Sequence, residues 1–198
     1  IWEKPFIEFA DDNTFINKRY WIDLLKELKN EDIRWFTETD ISVVENDELL
    51  ELMRESGCQQ VLIGFESPSK KSLDGLELSS NWKMKQLDKY RYAVEKIQSH
   101  GITVNGCFIL GLDGQDKEIF DEVWKFVKES GLYEVQITVM TAFPGTPLYR
   151  RLINEGRILK EGDWARCTLF DVNFQPKEMS IKELEKSFRD LAEKVYSI

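Results

Sequence analysis

The chain has 198 residues, of which 42% are hydrophobic and 32% are charged, and its formal net charge is -9 at pH 7. This length and composition support a substantial buried core. The acidic balance argues against binding to nucleic acid or to an anionic membrane surface. No apolar run approaches the length needed to span a bilayer. The composition therefore predicts a globular protein without a membrane span or a nucleic-acid partner.

The three cysteines, Cys58, Cys107 and Cys167, are far apart and show no paired spacing. An odd, scattered set predicts a reducing compartment, and so a cytoplasmic location, rather than a disulfide framework. The single histidine, His100, offers no metal cluster. We therefore expect no metal ligands within this chain.

The first elements in chain order are two short strands with a helix between them. Phe6–Ala10 reads as a strand and ends in Asp11, Asp12 and Asn13. Asn17 can then cap an amphipathic helix. Ile33–Thr37 reads as the second strand, and its last residues are followed by polar side chains. These are Glu38, Thr39 and Asp40.

Three further helices end in glycine and lead into apolar runs. Gly57, Gly101 and Gly131 stand where a helix releases its last carbonyl groups through a left-handed residue. Nearly unbroken apolar runs of this length predict strands that are covered on both faces. The three predicted strands are Val61–Glu66, Thr103–Gly111 and Val135–Met140.

Residues 67–80 form the longest irregular stretch, and one helix is predicted from there to about His100. Four basic residues share this helix, and their spacing favours a solvated face over a binding patch. They are Lys83, Lys85, Lys89 and Arg91.

The C-terminal part begins with a change of pattern near residue 157. Before it, Thr146 and Pro147 predict the start of a helix. After it, Leu169–Phe174 alternates apolar and polar residues, which predicts a strand with one wet face. Ser180 and Glu183 form a capping box that opens a final amphipathic helix. We therefore predict a partial barrel domain over residues 1–157 and a strand and helix extension over residues 158–198.

Regular alternation of strands and helices predicts an α/β fold with a parallel sheet and outer helices. Such sheets bind ligands at the carboxyl ends of their strands. The residues at those ends are mostly carboxylates, small hydroxyls and glycines, without a conspicuous lysine or arginine. Glu66 is poorly placed to cap a helix, because Pro68 follows it and the next helix starts well beyond. We therefore expect a functional role for Glu66.

Several segments, taken in order, resemble the core of radical S-adenosylmethionine enzymes, and in particular those with an N-terminal cobalamin-binding domain. The tail around Asp163–Trp164 and Phe170–Met179 is similar to the C-terminal extension of that group. The four core segments are Phe9–Phe15, Val61–Ser67, Gly106–Gly114 and Thr141–Tyr149.

The resemblance implies a partial (β/α) barrel of the TIM type and a set of residues around the cofactor S-adenosylmethionine. Asp11 and Asp12 occupy the place of the family motif that holds the methionine amino group. Glu66 and Ser67 are implied on the ribose and methionine carboxylate side. The adenine side is implied at Gly111, Asp113, Gly114, Phe143 and Pro144, and Thr39 is a further cofactor-binding candidate.

The family's cluster ligands form a Cys-x-x-x-Cys-x-x-Cys loop, and the cysteines of this chain do not have that spacing. The 4Fe-4S cluster supplies the electron that cleaves S-adenosylmethionine to a 5'-deoxyadenosyl radical. We therefore interpret the chain as part of a larger catalytic domain that is inert without the N-terminal remainder of its parent. If the parent also binds cobalamin, the resemblance implies methyl transfer.

Two other functions remain open from the residues alone. One is a barrel lyase or isomerase that uses Glu66 and Asp12 as acid and base. The other is a non-catalytic module that binds a protein partner. A further expectation concerns association: an unpaired strand edge at Phe6–Phe9 predicts a homodimer, unless Ile1–Pro5 cover that edge.

Overall fold

The computed structural model describes residues 5–77 and 80–197. Five parallel strands form one sheet in the order β1-β2-β3-β4-β5. β1 and β5 are the two edges, so the sheet is open. The predicted α/β fold with a parallel sheet is confirmed. The strands are β1 (Phe6–Phe9), β2 (Arg34–Thr39), β3 (Cys58–Glu66), β4 (Thr103–Leu110) and β5 (Glu134–Val139).

Helices follow the strands, and among those described none is long and apolar enough to cross a bilayer. The single helix predicted up to His100 is interrupted by a 3-10 turn at Leu87–Lys89. The α helices are α1 (Lys18–Leu28), α2 (Asp47–Glu55), α3 (Lys70–Leu73), α4 (Trp82–Gln86), α5 (Tyr90–Ser99), α6 (Ile119–Ser130), α7 (Pro147–Asn154) and α8 (Ile181–Tyr196).

The helix boundaries follow the predicted capping residues. The side chain of Asn17, a predicted cap, accepts a backbone N–H bond at the start of α1. The side chain of Asn46 does the same at the start of α2. Ser180 and Glu183 form the predicted capping box at the start of α8. The three helix-ending glycines all have positive φ angles: 98° at Gly57, 77° at Gly101 and 69° at Gly131.

The chain divides into two compact units, each built from separate stretches of sequence. The predicted division is instead a single boundary along the sequence, at residue 157, and it stays a prediction. Unit 1 contains the described residues up to Phe65, together with Asp88–Cys107 and Lys128–Gln136. Unit 2 contains the described residues of Glu66–Leu87, Phe108–Val127 and the chain from Ile137 onward.

Unit 1 contains the paired strands β1, β2 and β3, with a core centred on Trp35. Phe9 and Trp35 are neighbours, with their ring centroids 5.3 Å apart. Trp35 is fully buried, and its indole Nε1 donates to the Ser56 carbonyl oxygen at 2.9 Å. An irregularity in the pairing of β2 with β3 falls between Trp35 and Phe36. Because of its hydrogen bond to Ser56, the buried Trp35 indole has no unsatisfied polar atom, as a stable core requires.

The strands are less fully covered than their apolar sequences predict. Along β3, Val61, Ile63 and Phe65 are buried, whereas the alternate residues Leu62 and Glu66 are half-buried. Alternate residues of a strand point to opposite faces of the sheet. One face of β3 is therefore packed and the other remains partly accessible, which corrects the expectation that both faces are covered.

The strand predicted over Leu169–Phe174 is wrong as a regular element. Phe174 makes only an isolated antiparallel bridge with Ile158. Upstream, Leu169 has a φ of 68°, and the Thr168 hydroxyl accepts the N–H groups of Phe170 and Asp171 at 3.1 and 3.0 Å. This local turn takes the backbone out of the extended conformation. The C-terminal strand is therefore reduced to a bridge at Phe174.

Candidate functional site

An acidic cluster follows the first two strands of unit 1. Asp11 and Asp12 are exposed, directly after β1. Burial, and then the negative charges of Asp12 and Glu8, raise the pKa of Glu38 at the end of β2. Clustered carboxylates of this kind attract a cation, such as an ammonium group. Asp11 and Asp12 thus belong to an acidic cluster, and their role as ligands of the methionine amino group stays a prediction.

Thr39 belongs to the hydrogen-bonded turn after β2. It is buried, and its hydroxyl donates to Asn13 Oδ1 at 3.4 Å. Asn13 Nδ2 in turn donates to Asp40 Oδ2 at 2.6 Å, and Asp40 Oδ1 accepts the Ser42 N–H at 2.7 Å. These contacts join the polar residues after β1 to those after β2. A purely structural role accounts for the position of Thr39.

Glu66 ends β3 in an unusual backbone conformation within unit 2. Its φ angle is 63°, in the left-handed region that disfavours residues with a side chain. Its Oε1 lies 2.5 Å from Lys83 Nζ, and the two side chains are only 18% and 23% exposed. The predicted solvated face of Lys83, Lys85, Lys89 and Arg91 is therefore wrong for Lys83, because this lysine forms an ion pair with Glu66. A strained residue with a partly buried ion pair is typical of a functional position.

Ser67 is fully buried and is used locally. Its hydroxyl lies 2.8 Å from the Ser72 hydroxyl and accepts the Ser69 N–H at 3.2 Å. These bonds support the turn that leads from β3 into α3. The observed contacts give Ser67 a supporting role next to Glu66.

The loop after β4 is held from within by Gln115. Its Oε1 accepts the N–H groups of Gly111 and Leu112 at 2.8 and 3.1 Å, and its Nε2 donates to the Ile109 carbonyl at 3.0 Å. Gly114 has a φ of 84°, and a Cβ there would lie 2.9 Å from the Lys71 carbonyl oxygen. The loop is therefore fixed in one conformation, and Gly114 admits no larger residue without displacement.

Asp113 lies at the centre of a cationic cluster that the sequence analysis missed. Its carboxylate contacts Arg157 Nη2 at 2.8 Å, Arg151 Nη1 at 2.9 Å and Lys177 Nζ at 3.3 Å. Burial opposes ionisation of Asp113. Hydrogen bonds from Arg157 and Lys177, together with the charge of Arg151, outweigh the effect of burial, so the pKa of Asp113 lies below its ordinary value. The cations come from segments at least 38 residues away in sequence, so no local motif reveals them.

A cavity of about 690 Å³ lies within unit 2 beside this loop. Asp113 and Phe143 line it, whereas the predicted site residues Gly111, Gly114, Pro144, Glu66 and Ser67 are not among its lining residues. Its volume is in the range of pockets that bind small molecules. Most of its wall is apolar and comes from the ends of β4 and β5, from α7 and from the C-terminal segment. The apolar lining consists of Leu76, Ile109, Leu112, Val139, Met140, Phe143, Pro147, Leu148 and Leu169.

The cysteines do not fit an iron–sulfur cluster. Among the described residues, no group of three or more cysteine, histidine or acidic side chains could hold a metal ion. Burial raises the pKa of the Cys58 thiol, which opposes the thiolate form that a metal requires. The expectation of no metal ligands in this chain stays a prediction.

Comparison with protein families gives two matches along the chain. Residues 2–127 match the radical SAM superfamily. Residues 146–198 match a domain of unknown function, DUF4070. The first match covers more than half of the chain, and the second covers α7, α8 and the segment between them.

Two curated relatives resemble most of the chain. Bacteriochlorophyllide d C-12(1)-methyltransferase of Chlorobaculum tepidum is 27% identical over 98% of this chain and 41% of its own length. Hopanoid C-2 methylase of Rhodopseudomonas palustris is 30% identical over 78% of this chain and 30% of its own length. The chain therefore spans less than half the length of these relatives.

A solved structure that resembles most of the chain is the radical S-adenosylmethionine methyltransferase TsrM from Kitasatospora setae, with cobalamin and a [4Fe-4S] cluster bound. It superposes with a TM-score of 0.66 at 15% sequence identity, over 92% of this chain and 37% of that one. At this identity the likeness supports the fold.

Proposed function

We propose a function from one premise: this chain belongs to the radical S-adenosylmethionine superfamily. Members of the family use S-adenosylmethionine and a 4Fe-4S cluster. The proposal is that the chain forms part of the catalytic domain of a methyltransferase whose parent protein also binds cobalamin. Methyltransferases among its relatives and the cobalamin-bound structure with the same fold support this assignment. Family membership also favours a radical enzyme over a barrel lyase or isomerase that uses Glu66 and Asp12 as acid and base, and over a non-catalytic module.

The cavity of unit 2 is the proposed place of the adenosine part of S-adenosylmethionine. Ile109, Leu112 and Phe143 offer apolar surface for a flat ring. Gln115 accepts the N–H groups of Gly111 and Leu112, so the loop from Gly111 to Gly114 is already rigid beside the cavity. A preformed wall lowers the entropy lost when a ligand binds. This apolar cavity beside a rigid glycine loop is the observation that carries the proposal.

The polar parts of the cofactor are assigned to the strand-end carboxylates. Glu66 accepts hydrogen bonds from the ribose hydroxyls, and Lys83 attracts the methionine carboxylate. The assignment of Asp11 and Asp12, in unit 1, to the methionine amino group rests on the family resemblance alone and stays a prediction. Ser67 and Thr39 support the adjacent turns through the hydrogen bonds described above. The strained φ of Glu66 supports a role beyond packing.

The chain does not itself hold the cluster in this proposal. The fit of its cysteines to a 4Fe-4S cluster is poor, as shown above, so the cluster ligands belong to a different part of the parent. When bound, the cluster supplies the electron for reductive cleavage of S-adenosylmethionine. The chain alone is therefore expected to bind the cofactor weakly and to cleave none of it.

The experiment that tests this function compares cofactor binding with cleavage. Without the cluster, we expect S-adenosylmethionine to bind no more tightly than roughly millimolar, because a few hydrogen bonds must offset the cost of association. Saturation-transfer NMR should place the adenine protons against the protein, and Phe143→Ser should weaken that signal. Tyr133→Ser, at an exposed aromatic residue of unit 1, is the control.

The cleavage arm uses the same protein under reducing conditions. After treatment with iron and sulfide the chain should stay colourless, and with dithionite and S-adenosylmethionine it should yield no 5'-deoxyadenosine. Stoichiometric iron with a cluster absorbance would contradict the assignment of the ligands to another part of the parent. Adenine signals that are unchanged in Phe143→Ser would contradict the placement of the adenosine.

A further inference from the structure

The domain of unknown function contributes charged residues to the unit 2 cavity. Arg151 on α7 and Lys177 in the segment before α8 both line the cavity. Both belong to the stretch 146–198 that matches this domain. They are the cationic residues of a wall that is otherwise mostly apolar. The domain therefore supplies a chemically distinct part of the cavity.

Arg151 and Lys177 meet at one oxygen atom. Arg151 Nη1 lies 2.9 Å and Lys177 Nζ 3.3 Å from Asp113 Oδ2. The two cationic groups are therefore close to each other, and both side chains are 46% exposed. A guanidinium has five N–H donors and an ammonium has three, so one shared acceptor oxygen leaves most of these donors available.

Asp113 and Glu155 share Arg157, and with Arg151 and Lys177 the cluster has three cations for two carboxylates, so one positive charge is in excess. Arg157, whose side chain is only 10% exposed, contacts both Asp113 oxygens, at 2.8 Å to Oδ1 and 3.4 Å to Oδ2. The same guanidinium also contacts Glu155 at 2.8 Å. Arg157 therefore supplies a buried donor to each Asp113 oxygen, although it is shared with Glu155. Half-exposed ion pairs add little stability beyond that.

The other carboxylate of the cavity wall does not neutralise this pair by direct contact. Asp74 accepts a hydrogen bond from Asn81 Nδ2 at 2.9 Å. Within the described residues, the ion pairs of Arg151 and Lys177 are with Asp113, and both also act on Glu155 through their charges. The carboxylate oxygens of the cavity wall thus already accept hydrogen bonds, whereas Arg151 and Lys177 still have N–H donors to offer. This arrangement favours the binding of an anion.

We infer that Arg151 and Lys177 form a subsite for the anionic group of an otherwise apolar ligand. A carboxylate or a phosphate group bound there would accept hydrogen bonds from both side chains, while the apolar body of the ligand contacts residues such as Leu148 and Leu169. The identification of this ligand as the methyl acceptor rests on the proposed function. The binding itself requires neither S-adenosylmethionine nor a cluster.

Two fluorescent probes test this subsite. The dye 1-anilinonaphthalene-8-sulfonate carries one anionic group, and N-phenyl-1-naphthylamine is the same framework without it. The wild-type chain should bind the anionic probe about fivefold more tightly, which corresponds to one partly screened ionic contact. In the double variant Arg151→Gln/Lys177→Gln that preference should disappear, with the affinity for the neutral probe unchanged.

Two controls locate the effect. Lys182→Gln/Arg189→Gln removes the same charges from exposed positions on α8 and should keep the preference. Leu148→Trp fills the cavity and should weaken both probes, with circular dichroism to check that each variant is folded. Equal affinities of the two probes for the wild type would overturn the inference. So would equal loss of both probes in the Arg151→Gln/Lys177→Gln variant, or loss of the preference in the α8 control.

The outcome is separate from that of the cofactor experiment. Both probes report binding without S-adenosylmethionine, so a failed cofactor experiment leaves the subsite intact. Conversely, probes that do not distinguish the variants leave the adenosine placement untouched.

Discussion

Arg157 joins the segment after α7 to the loop after β4 through both oxygens of Asp113, with a shortest contact of 2.8 Å. Its Nε also donates to the Gln175 carbonyl at 2.7 Å, and its guanidinium lies 5.9 Å from the centre of the Phe174 ring. One buried cation thus connects three separate pieces of unit 2. The loop proposed to carry the cofactor is therefore held by residues of the stretch 146–198.

The first prediction follows from this connection. Arg157→Met keeps most of the side-chain volume but leaves Asp113 and Glu155 without their buried partner, so the free energy of unfolding should fall by about 2–3 kcal/mol. Arg157→Lys keeps the charge but loses the two-pronged geometry, and its loss should be smaller. Urea unfolding followed by circular dichroism measures both.

The matched control is Arg189→Met, the same substitution at an exposed position on α8. It should change the free energy of unfolding by less than about 0.5 kcal/mol. If Arg157→Met costs no more than this control, the arginine does not secure the loop.

The second prediction concerns acid stability. The pKa of Asp113 is lower in the folded protein than its ordinary value, because contacts from Arg157, Lys177 and Arg151 outweigh the effect of burial. The stability from this ionised carboxylate is therefore fully present above the unfolded pKa of about 4, and it is lost as the pH falls through the folded pKa.

Asp113→Asn should destabilise the chain at neutral pH and should make its stability depend less on pH between about pH 5 and pH 3. Urea unfolding at several pH values in that window is the measurement, with the exposed Asp190→Asn as control for the loss of one carboxyl group. An unchanged pH dependence in Asp113→Asn would show that the cluster around this carboxylate does not form in solution.

The third prediction separates strain from function at Glu66. Glu66→Gly and Glu66→Ala both remove the carboxylate that pairs with Lys83, but only glycine adopts a φ of 63° without steric cost. The glycine variant should therefore be more stable than the alanine variant by about 1 kcal/mol. Thermal and urea unfolding compare the two.

Cofactor binding should not follow that order. Both variants should lose the weak binding of S-adenosylmethionine equally, because both lack the carboxylate assigned to the ribose. Binding that survives in the more stable glycine variant would show that Glu66 serves the backbone conformation and not the ligand.

Local sequence signals account for much of this fold. The predicted caps Asn17 and Ser180 accept hydrogen bonds from residues three positions further along the chain, so such patterns predict where helices begin. The helix-ending glycines are local in the same sense. The failure over Leu169–Phe174 is also local in origin, because the Thr168 hydroxyl competes for the backbone donors that a strand would use.

The contacts of the candidate site depend on long-range packing, which the sequence does not reveal. Lys83 is 17 residues from Glu66, and its spacing beside other basic residues suggested a solvated face. Arg157 is 44 residues from Asp113. The strand-end residues could be identified from their positions, but their ionic partners are determined by how the loops and the C-terminal segment pack.

The free edge of β1 is the basis of the last prediction. Among the described residues, β1 lies at the edge of the sheet with β2 as its neighbour, and Phe6 is 54% exposed. The alternative prediction is that Ile1–Pro5 cover this edge. Of these residues, only Pro5 lies within the described ranges. A strand edge with an exposed aromatic residue pairs readily with another chain.

We therefore predict that the chain forms a dimer through Phe6–Phe9 at high protein concentration. Phe6→Glu should shift the equilibrium to the monomer, because it adds a negative charge beside Glu8 and its counterpart across the interface, and like charges on paired edges repel. Sedimentation velocity over a concentration series measures this. Phe170→Glu places the same charge at another exposed phenylalanine, in unit 2, and should leave the dimer intact. A wild-type chain that remains monomeric at every concentration would rule out association through this edge.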